Sequence, residues 1–109
     1  MIDLKQIQSA VGAWSVKNFG NQASYLPLLG VVEELGELCH AHVKLEQGIR
    51  TNEDHWEGKI DAVGDVVIYL LDYCSKTGID LEETIASVWL EVKKRDWTIE
   101  RKQNEAKSE

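Results

Sequence analysis

The chain has 109 residues, of which 43% are hydrophobic, and a formal net charge of −7 from 19 acidic and 12 basic residues. This length fits one domain with a small core, which chains of this size often enlarge by pairing with a second copy. The acidic balance disfavours a nucleic-acid polymer as partner, because such binding requires a basic surface. The sequence contains no run of about 18 apolar residues, so no membrane span is predicted. Its first ten residues lack the basic start and apolar stretch of a signal peptide.

Hydrophobic periodicity predicts four helices separated by short polar breaks, and therefore an all-α fold. The first helix runs from about Asp3, its expected N-cap, to Phe19. The second starts near Ser24, carries Pro27 in its first turn and continues to about Glu46. Its apolar stripe is expected to comprise Leu28, Val31, Val32, Leu35, Leu38, Cys39 and Val43. A loop follows, with Gly48 as the expected stop signal.

The third helix is predicted to begin between residues 52 and 56 and to end at Gly78. Its apolar run at residues 66–71 could also form a β-strand, but the polar heptad before it favours a helix packed on several faces. Asp80 is expected to cap the fourth helix. The core face of that helix should comprise Ile85, Val88, Trp89 and Val92. Residues 1–99 are interpreted as a single helical domain and residues 100–109 as a charged tail that frays.

Cys39 and Cys74 lie in apolar helical patterns without metal-type spacing. We interpret both as small buried residues of a protein in a reducing compartment, the cytoplasm. A structural disulfide is the alternative.

An acidic pair interrupts the apolar stripe of the second helix. Glu34 and Glu37 are three residues apart, so their side chains rise from one face, where like charges repel. Gly36 lies between them and costs roughly 1 kcal/mol against Ala inside a helix. A close approach by another helix or by a ligand would explain this glycine.

The third helix repeats the pattern. Asp61 and Asp65 are four residues apart on one face, Gly64 lies beside them, and Glu57 continues the row one turn earlier. Aspartate is a poor helix former, so two of them next to an apolar run require a reason.

Both acidic pairs could be solvated charges on the outer faces of amphipathic helices. Four carboxylates that face one another across a helix pair, however, would not all stay ionised without cations. Their hard oxygen ligands suit Mg²⁺, with Mn²⁺ as a substitute, and Mg²⁺ commonly takes phosphate oxygens as further ligands. The predicted metal ligands are Glu34, Glu37, Asp61 and Asp65.

A di-iron bundle is a competing interpretation, because Glu37 and His40 form one Glu-x-x-His pair. Such a site needs a second pair on another helix, and His55 lies only at the start of the third helix. His40 and His42 are therefore interpreted as surface or interface residues.

The acidic rows together resemble those of the MazG-like, all-α nucleoside triphosphate pyrophosphohydrolases. That family carries Glu-Glu-x-x-Glu on one helix and Glu-x-x-Asp on the next. Residues 33–37 match the first element in full, and Asp65 with its following apolar run resembles the second. Residues 78–82 and 93–97 are similar to the entry and basic exit of the family's last helix. The resemblance covers roughly residues 10–97.

One position departs from the family pattern. The Glu of Glu-x-x-Asp would fall at position 62, which is Ala62 here. Asp61 is the candidate replacement, and Glu57 is held in reserve.

The resemblance implies Mg²⁺-dependent hydrolysis between the α and β phosphates of a nucleoside triphosphate. Glu34 or Glu37 would orient or deprotonate the attacking water. One or two of Lys93, Lys94 and Arg95 would reach the phosphates, although charges near a helix C-terminus can simply complement the dipole.

The base would contact Tyr69, one turn after Asp65, and the segment of Trp14, Asn18 and Phe19, which is similar to a pocket segment of the family. Trp14 could equally be a core residue. The remaining tryptophans are interpreted as packing or dimer-interface residues: Trp56, Trp89 and Trp97.

The fold implied by the resemblance is a four-helix protomer whose bundle is completed in a homodimer or a dimer of dimers, with the site near a subunit interface. Two other functions stay open. The chain could be a relative of phosphoribosyl-ATP pyrophosphohydrolase, or a nucleotide-binding regulatory module in which Ala62 marks lost catalysis.

Overall fold

The computed structural model describes residues 2–108, and no β-strand occurs over that range. The prediction of an all-α fold is therefore confirmed, including a helix over residues 66–71. No helix among these residues is long and apolar enough to cross a membrane. Five helices follow one another in the chain: α1 (Leu4–Phe19), α2 (Tyr25–Gln47), α3 (His55–Thr77), α4 (Leu81–Val92) and α5 (Trp97–Ser108).

The helix ends follow from local side-chain chemistry. Asp3, Asp54 and Asp80 are N-caps, and each side chain accepts a hydrogen bond from the backbone N–H three residues later. Gly48 and Gly78 end α2 and α3 in the left-handed region, at φ 65° and 75°. The predicted caps at Asp3 and Asp80 and the predicted stops at Gly48 and Gly78 are confirmed.

The two longest helices, α2 and α3, form an antiparallel hairpin. A Cβ built on Gly30 would lie 2.7 Å from the ring Cγ of Tyr69, and one built on Gly58 would lie 3.9 Å from the Cβ of Ala41. Both pairs follow one register, in which the numbers of two facing residues, one on α2 and one on α3, add up to 99. This register decides which polar residues of the two helices face each other.

A buried polar network joins α1 to α3. The Ser15 hydroxyl donates to the Asp72 carboxylate at 2.8 Å. The Lys76 ammonium donates to Asp72 at 2.7 Å and to Ser15 at 3.0 Å. Ser15 is fully buried, and the Asp72 and Lys76 side chains are each 12% exposed. Gly12, one turn before Ser15, lets the two backbones approach, because a Cβ there would overlap the Ser75 hydroxyl.

The start of α4 is attached to α1 by polar contacts. The Lys5 ammonium lies 2.6 Å from the Asp80 carboxylate, which is also the N-cap of α4. The Gln8 side chain accepts from the backbone N–H of Leu81 at 3.0 Å. These contacts hold the first turn of α4, whereas the rest of its surface is exposed.

The predicted core face of α4 is wrong for the single chain. Ile85, Val88, Trp89 and Val92 are between 38% and 57% exposed. The reason is that α4 packs on α1 through its first turn, so its apolar stripe has no facing helix within the chain.

The cysteine prediction holds for one of the two residues. Cys74 is buried in the cluster that contains Val11 and Leu71, whereas Cys39 is exposed on α2. Both thiols are free, so the two residues form no disulfide. Cys39 belongs to an apolar stripe of α2 that the chain leaves largely uncovered, which explains the difference.

The chain is helical where a frayed tail was expected. The Asp96 side chain accepts from the backbone N–H groups of Thr98 and Ile99, at 3.1 and 3.2 Å. These bonds satisfy two of the free donors at the start of α5, as an N-cap does. The four predicted helices are present, and α5 follows them.

Replacing Lys76 by Met is expected to lower the free energy of unfolding by about 3 kcal/mol, because Asp72 would keep a buried charge without its cation. Ser15→Ala leaves the ion pair intact and should cost about 1 kcal/mol. Urea unfolding followed by far-UV circular dichroism measures both losses.

Lys94→Met is the matched control for this experiment. Lys94 lies 3.2 Å from Glu91, but both side chains are about two-thirds exposed, so the loss should stay below about 1 kcal/mol. Equal losses for Lys76→Met and Lys94→Met would contradict the structural role of the buried network.

Candidate functional site

A cleft of about 490 Å³ opens between α1, the first half of α2 and the middle of α3. Its volume falls in the range of roughly 300–1,000 Å³ that small-molecule sites occupy. The wall combines carboxylates, aromatic rings and aliphatic side chains: Val11, Trp14, Phe19, Gln22, Leu26, Pro27, Glu34, Asp65, Ile68, Tyr69 and Asp72.

The acidic part of the wall comes from two helices. The hairpin register sets Glu34 of α2 opposite Asp65 of α3. Partial removal from water raises the pKa of the Glu34 carboxyl above its ordinary value, and the negative charges of Asp65, Glu33 and Glu37 raise it further. The two facing carboxylates therefore repel each other.

In the described part of the chain, Glu34 and Asp65 have no cationic partner. Among residues 2–108, no ion pair within 4.0 Å involves Glu34 or Asp65. The third carboxylate of the wall differs, because Asp72 is paired with Lys76 at 2.7 Å. The uncompensated charge of the cleft is thus concentrated at Glu34 and Asp65. A bound cation would have its most favourable electrostatic energy there.

Aromatic rings form another part of the wall. The Trp14 and Phe19 rings meet edge to face, with centroids 5.5 Å apart. The Tyr69 ring packs against Gly30, which leaves room for the ring because it has no side chain. The cleft therefore presents flat apolar surfaces beside two uncompensated carboxylates.

Five of the residues predicted for the site lie together in this wall: Trp14, Phe19, Glu34, Asp65 and Tyr69. Trp14 is 54% exposed, so its interpretation as a core residue is wrong for the single chain. Asn18 does not line the cleft; its side-chain amide donates to the backbone carbonyl of Trp14 at 2.8 Å.

Glu37 and Asp61 are exposed and do not line the cleft. The hairpin register sets position 62 opposite Glu37, and Ala62 is buried there with 3% of its surface exposed. Among the residues that the structure describes, no three of the predicted acidic ligands bring carboxylate oxygens within 4.8 Å of one another.

The predicted phosphate-binding cations also lie outside the wall. Lys93, Lys94 and Arg95 follow the last residue of α4, and all three are exposed. Lys94 pairs with Glu91 in the last turn of α4.

The glycines that permit close packing are not those singled out in the sequence. A Cβ built on Gly36 or Gly64 would meet no atom within 4 Å, so no helix of the chain approaches them. Gly12 and Gly30 occupy the close contacts instead. Sequence reasoning missed Gly30 because it lies among apolar residues, and it missed Asp72 because a single acid after an apolar run gives no sign of its partners.

No protein-family model, curated protein or solved structure matches this chain. A cleft with flat rings beside two uncompensated carboxylates suits a ligand with an aromatic base and an anionic end that carries metal ions.

Gly30→Ala is expected to push the Tyr69 ring out of place and to lower the free energy of unfolding by about 1–3 kcal/mol. Gly36→Ala, on the same helix but with open space around it, should instead stabilise the chain by up to about 1 kcal/mol. Urea unfolding measures both, and the Tyr69 ring signals in an NMR spectrum report the displacement. A change of the same sign in both variants would contradict the close contact at Gly30.

Proposed function

We propose that the protein is a Mg²⁺-dependent nucleoside triphosphate pyrophosphohydrolase, which converts a (d)NTP into a (d)NMP and pyrophosphate. The observation that carries the proposal is the cleft in which Glu34 and Asp65 face each other without a cation, with Trp14 and Tyr69 in the same wall. The resemblance of the acidic motifs to those of MazG-like enzymes supports it. A cytoplasmic role in clearing noncanonical nucleotides or trimming a dNTP pool would follow.

The carboxylates would suit a hard divalent cation. Glu34 and Asp65 face each other in the cleft, and Glu37, one turn further along α2, would turn towards them as a third ligand. The repulsion that raises the pKa of Glu34 is what a cation would relieve. Asp61 would be the fourth ligand in place of the family Glu at Ala62, with Glu57 in reserve. When bound, Mg²⁺, or Mn²⁺ in its place, would neutralise charge on the phosphate oxygens.

The residues of the chain would carry out the hydrolysis as follows. A water oxygen attacks the α phosphorus, the bond from that phosphorus to the α–β bridging oxygen breaks, and pyrophosphate leaves. Glu34 lines the cleft and Glu37 does not, so we assign Glu34 to orient this water and accept its proton.

The aromatic wall would bind the base. Trp14 and Tyr69 present faces on which a planar base can stack, and Phe19 fixes the Trp14 ring by edge-to-face contact. Asn18 would act indirectly, because its amide is bonded to the Trp14 carbonyl. We assign Asn18 as a positioning residue.

A second copy of the chain is the proposed partner. Among the described residues six hydrophobic side chains are buried, whereas 27 large hydrophobic side chains are exposed. Such an exposed apolar surface exceeds what a stable monomer commonly shows. Burial of part of it between protomers would supply the core that the single chain lacks.

The hairpin offers the surface for this pairing. Its exposed apolar residues recur every three or four positions on both helices, at levels that correspond in the hairpin register: Leu28, Val32, Leu35, Cys39 and Val43 on α2, and Trp56, Ile60, Val63 and Val67 on α3. Two hairpins packed across a two-fold axis would complete a four-helix bundle. Pairing of two such dimers would use the stripe of α4. We propose that Lys93, Lys94 and Arg95 reach the phosphates from another protomer.

Two other functions predict different results. A nucleotide-binding module in which Ala62 marks lost catalysis would bind nucleotides without turnover. A relative of phosphoribosyl-ATP pyrophosphohydrolase would release pyrophosphate from that substrate in preference to the (d)NTPs.

Pure protein incubated with a panel of NTPs, dNTPs and phosphoribosyl-ATP plus Mg²⁺ is expected to release pyrophosphate from at least one of them. Glu34→Gln, Glu37→Gln and Asp65→Asn should each lower the rate by roughly 100-fold or more, because each removes a charge that the transition state requires. A coupled pyrophosphate assay measures the rates, and far-UV circular dichroism checks the helical content.

Glu46→Gln is the control, because Glu46 is an exposed acid of α2 whose ion pair is with His42. It should keep the parent rate. Absence of pyrophosphate from every substrate, with folded protein and added Mg²⁺, would overturn the enzymatic proposal. Nucleotide binding by calorimetry in that case would favour the regulatory module.

The chain is expected to sediment at a mass of at least about twice its 12.3 kDa. Val32→Asp, at a hairpin position that is 62% exposed in the single chain, should shift it towards monomer, since a charge would be buried at the interface. Val16→Asp, on an exposed position of α1, is the matched control and should keep the parent mass. A monomeric parent chain at micromolar concentration would contradict the dimer.

A further inference from the structure

We infer that the far end of the α2–α3 hairpin is a Zn²⁺ site formed by His40, Glu53 and His55. Each residue offers one ligand atom, and these three atoms lie within 4.8 Å of one another. His40 comes from α2, Glu53 from the connecting loop and His55 from the first position of α3. No step of the proposed hydrolysis uses any of them.

The tautomer of His55 is fixed in the form that a metal ligand needs. Its Nε2 lies 2.8 Å from the backbone carbonyl of Arg50. A carbonyl oxygen only accepts, so Nε2 carries the proton and the lone pair of the neutral ring is on Nδ1. Histidine ligands of zinc are commonly oriented by such a bond from the second ring nitrogen to a backbone carbonyl.

The Nδ1 atom of His55 lies close to the other two residues. The Nδ1 atom of His55 lies 3.8 Å from a carboxylate oxygen of Glu53. The His40 ring of α2 lies edge to face with the His55 ring of α3, with the two centroids 6.2 Å apart. The His55 side chain is 7% exposed, so one ligand is held rigidly while His40 and Glu53 remain accessible to an entering ion.

The distances require only small adjustments. Zinc binds imidazole nitrogen and carboxylate oxygen at roughly 2.0–2.2 Å, so tetrahedral ligand atoms are about 3.3 Å apart. The observed separations of 3.8 Å and at most 4.8 Å therefore shorten by about 0.5–1.5 Å, which rotations of the exposed His40 and Glu53 side chains can supply. Water would take the fourth position.

The connecting loop is shaped for this geometry. Arg50 adopts a left-handed conformation at φ 52°, which is unusual for a residue other than glycine, and its carbonyl accepts the hydrogen bond from Nε2 of His55. The loop begins with the Gly48 stop of α2 and ends with the Asp54 cap of α3. A bound ion would fasten the two helices and this loop to one another.

The donor set selects the metal and separates this site from the cleft. Two imidazoles and one carboxylate suit Zn²⁺, whereas the all-oxygen set of the cleft suits Mg²⁺. His40 is six residues from Glu34, roughly 9 Å along the axis of α2. Saturation with Mg²⁺ should therefore leave zinc binding intact.

Calorimetric titration of the metal-free full chain with Zn²⁺, in the presence of excess Mg²⁺, should give one ion per chain. His40→Gln and Glu53→Gln, both at exposed positions, should each weaken binding at least tenfold, because each removes one of three ligands. His42→Gln is the matched control: His42 is the same residue type two positions later, exposed and facing Glu46 at 3.9 Å. It should bind as the parent does.

A second readout does not depend on affinity. In a long-range ¹H–¹⁵N spectrum, Zn²⁺ should shift the Nδ1 signal of His55 while Nε2 keeps its proton. Absence of one-to-one binding, or equal affinity for the parent and His40→Gln, would overturn the site and leave an ordinary histidine–glutamate pair. A loss in Glu34→Gln as large as in His40→Gln would place the zinc in the cleft instead.

Discussion

The ion pair of Asp72 and Lys76, closed by the Ser15 hydroxyl, is the interaction on which the arrangement of the chain depends. Helix α3 contacts both α1 and α2, and this network fixes the rotation of α1 on it. Trp14 precedes Ser15, and Asp65 lies seven residues, or two turns, before Asp72. The polar contact that buries Ser15 therefore also sets the distance between the aromatic and acidic walls of the cleft. A network of this kind specifies one packing, because any other leaves buried charge unpaired.

The features that were predictable from the sequence are those determined locally. The caps at Asp3 and Asp80 and the stops at Gly48 and Gly78 depend on a few neighbouring residues, and all four are present. The grouping of Trp14, Glu34, Asp65 and Tyr69 was also predictable. Helical periodicity assigns each residue to a face of its helix, and the short loop forces α2 and α3 to lie antiparallel. The metal, the substrate and the assembly stay predictions.

The features that the sequence did not predict depend on which residues of neighbouring helices meet and how closely. An apolar stripe shows that a face will be covered, not what covers it, so Val88 of α4 and Cys39 of α2 were placed in a core that the chain does not build. Whether Gly30 or Gly36 lies against α3 depends on the register of the α2–α3 hairpin to within one residue. The histidine cluster was missed because it needs the backbone conformation at Arg50, which no pattern in the sequence encodes.

With a cation bound as proposed, the raised pKa of Glu34 would link the stability of the protein to the occupancy of its cleft. A carboxyl with a higher pKa in the folded chain costs nothing below its ordinary pKa of 4.5, and the cost grows as pH rises through the folded value. The ligand-free fold carries this cost above that value, and a cation bound as proposed would offset it. Occupied molecules would therefore unfold less often than empty ones, and cellular proteases would clear first the copies that have nothing bound.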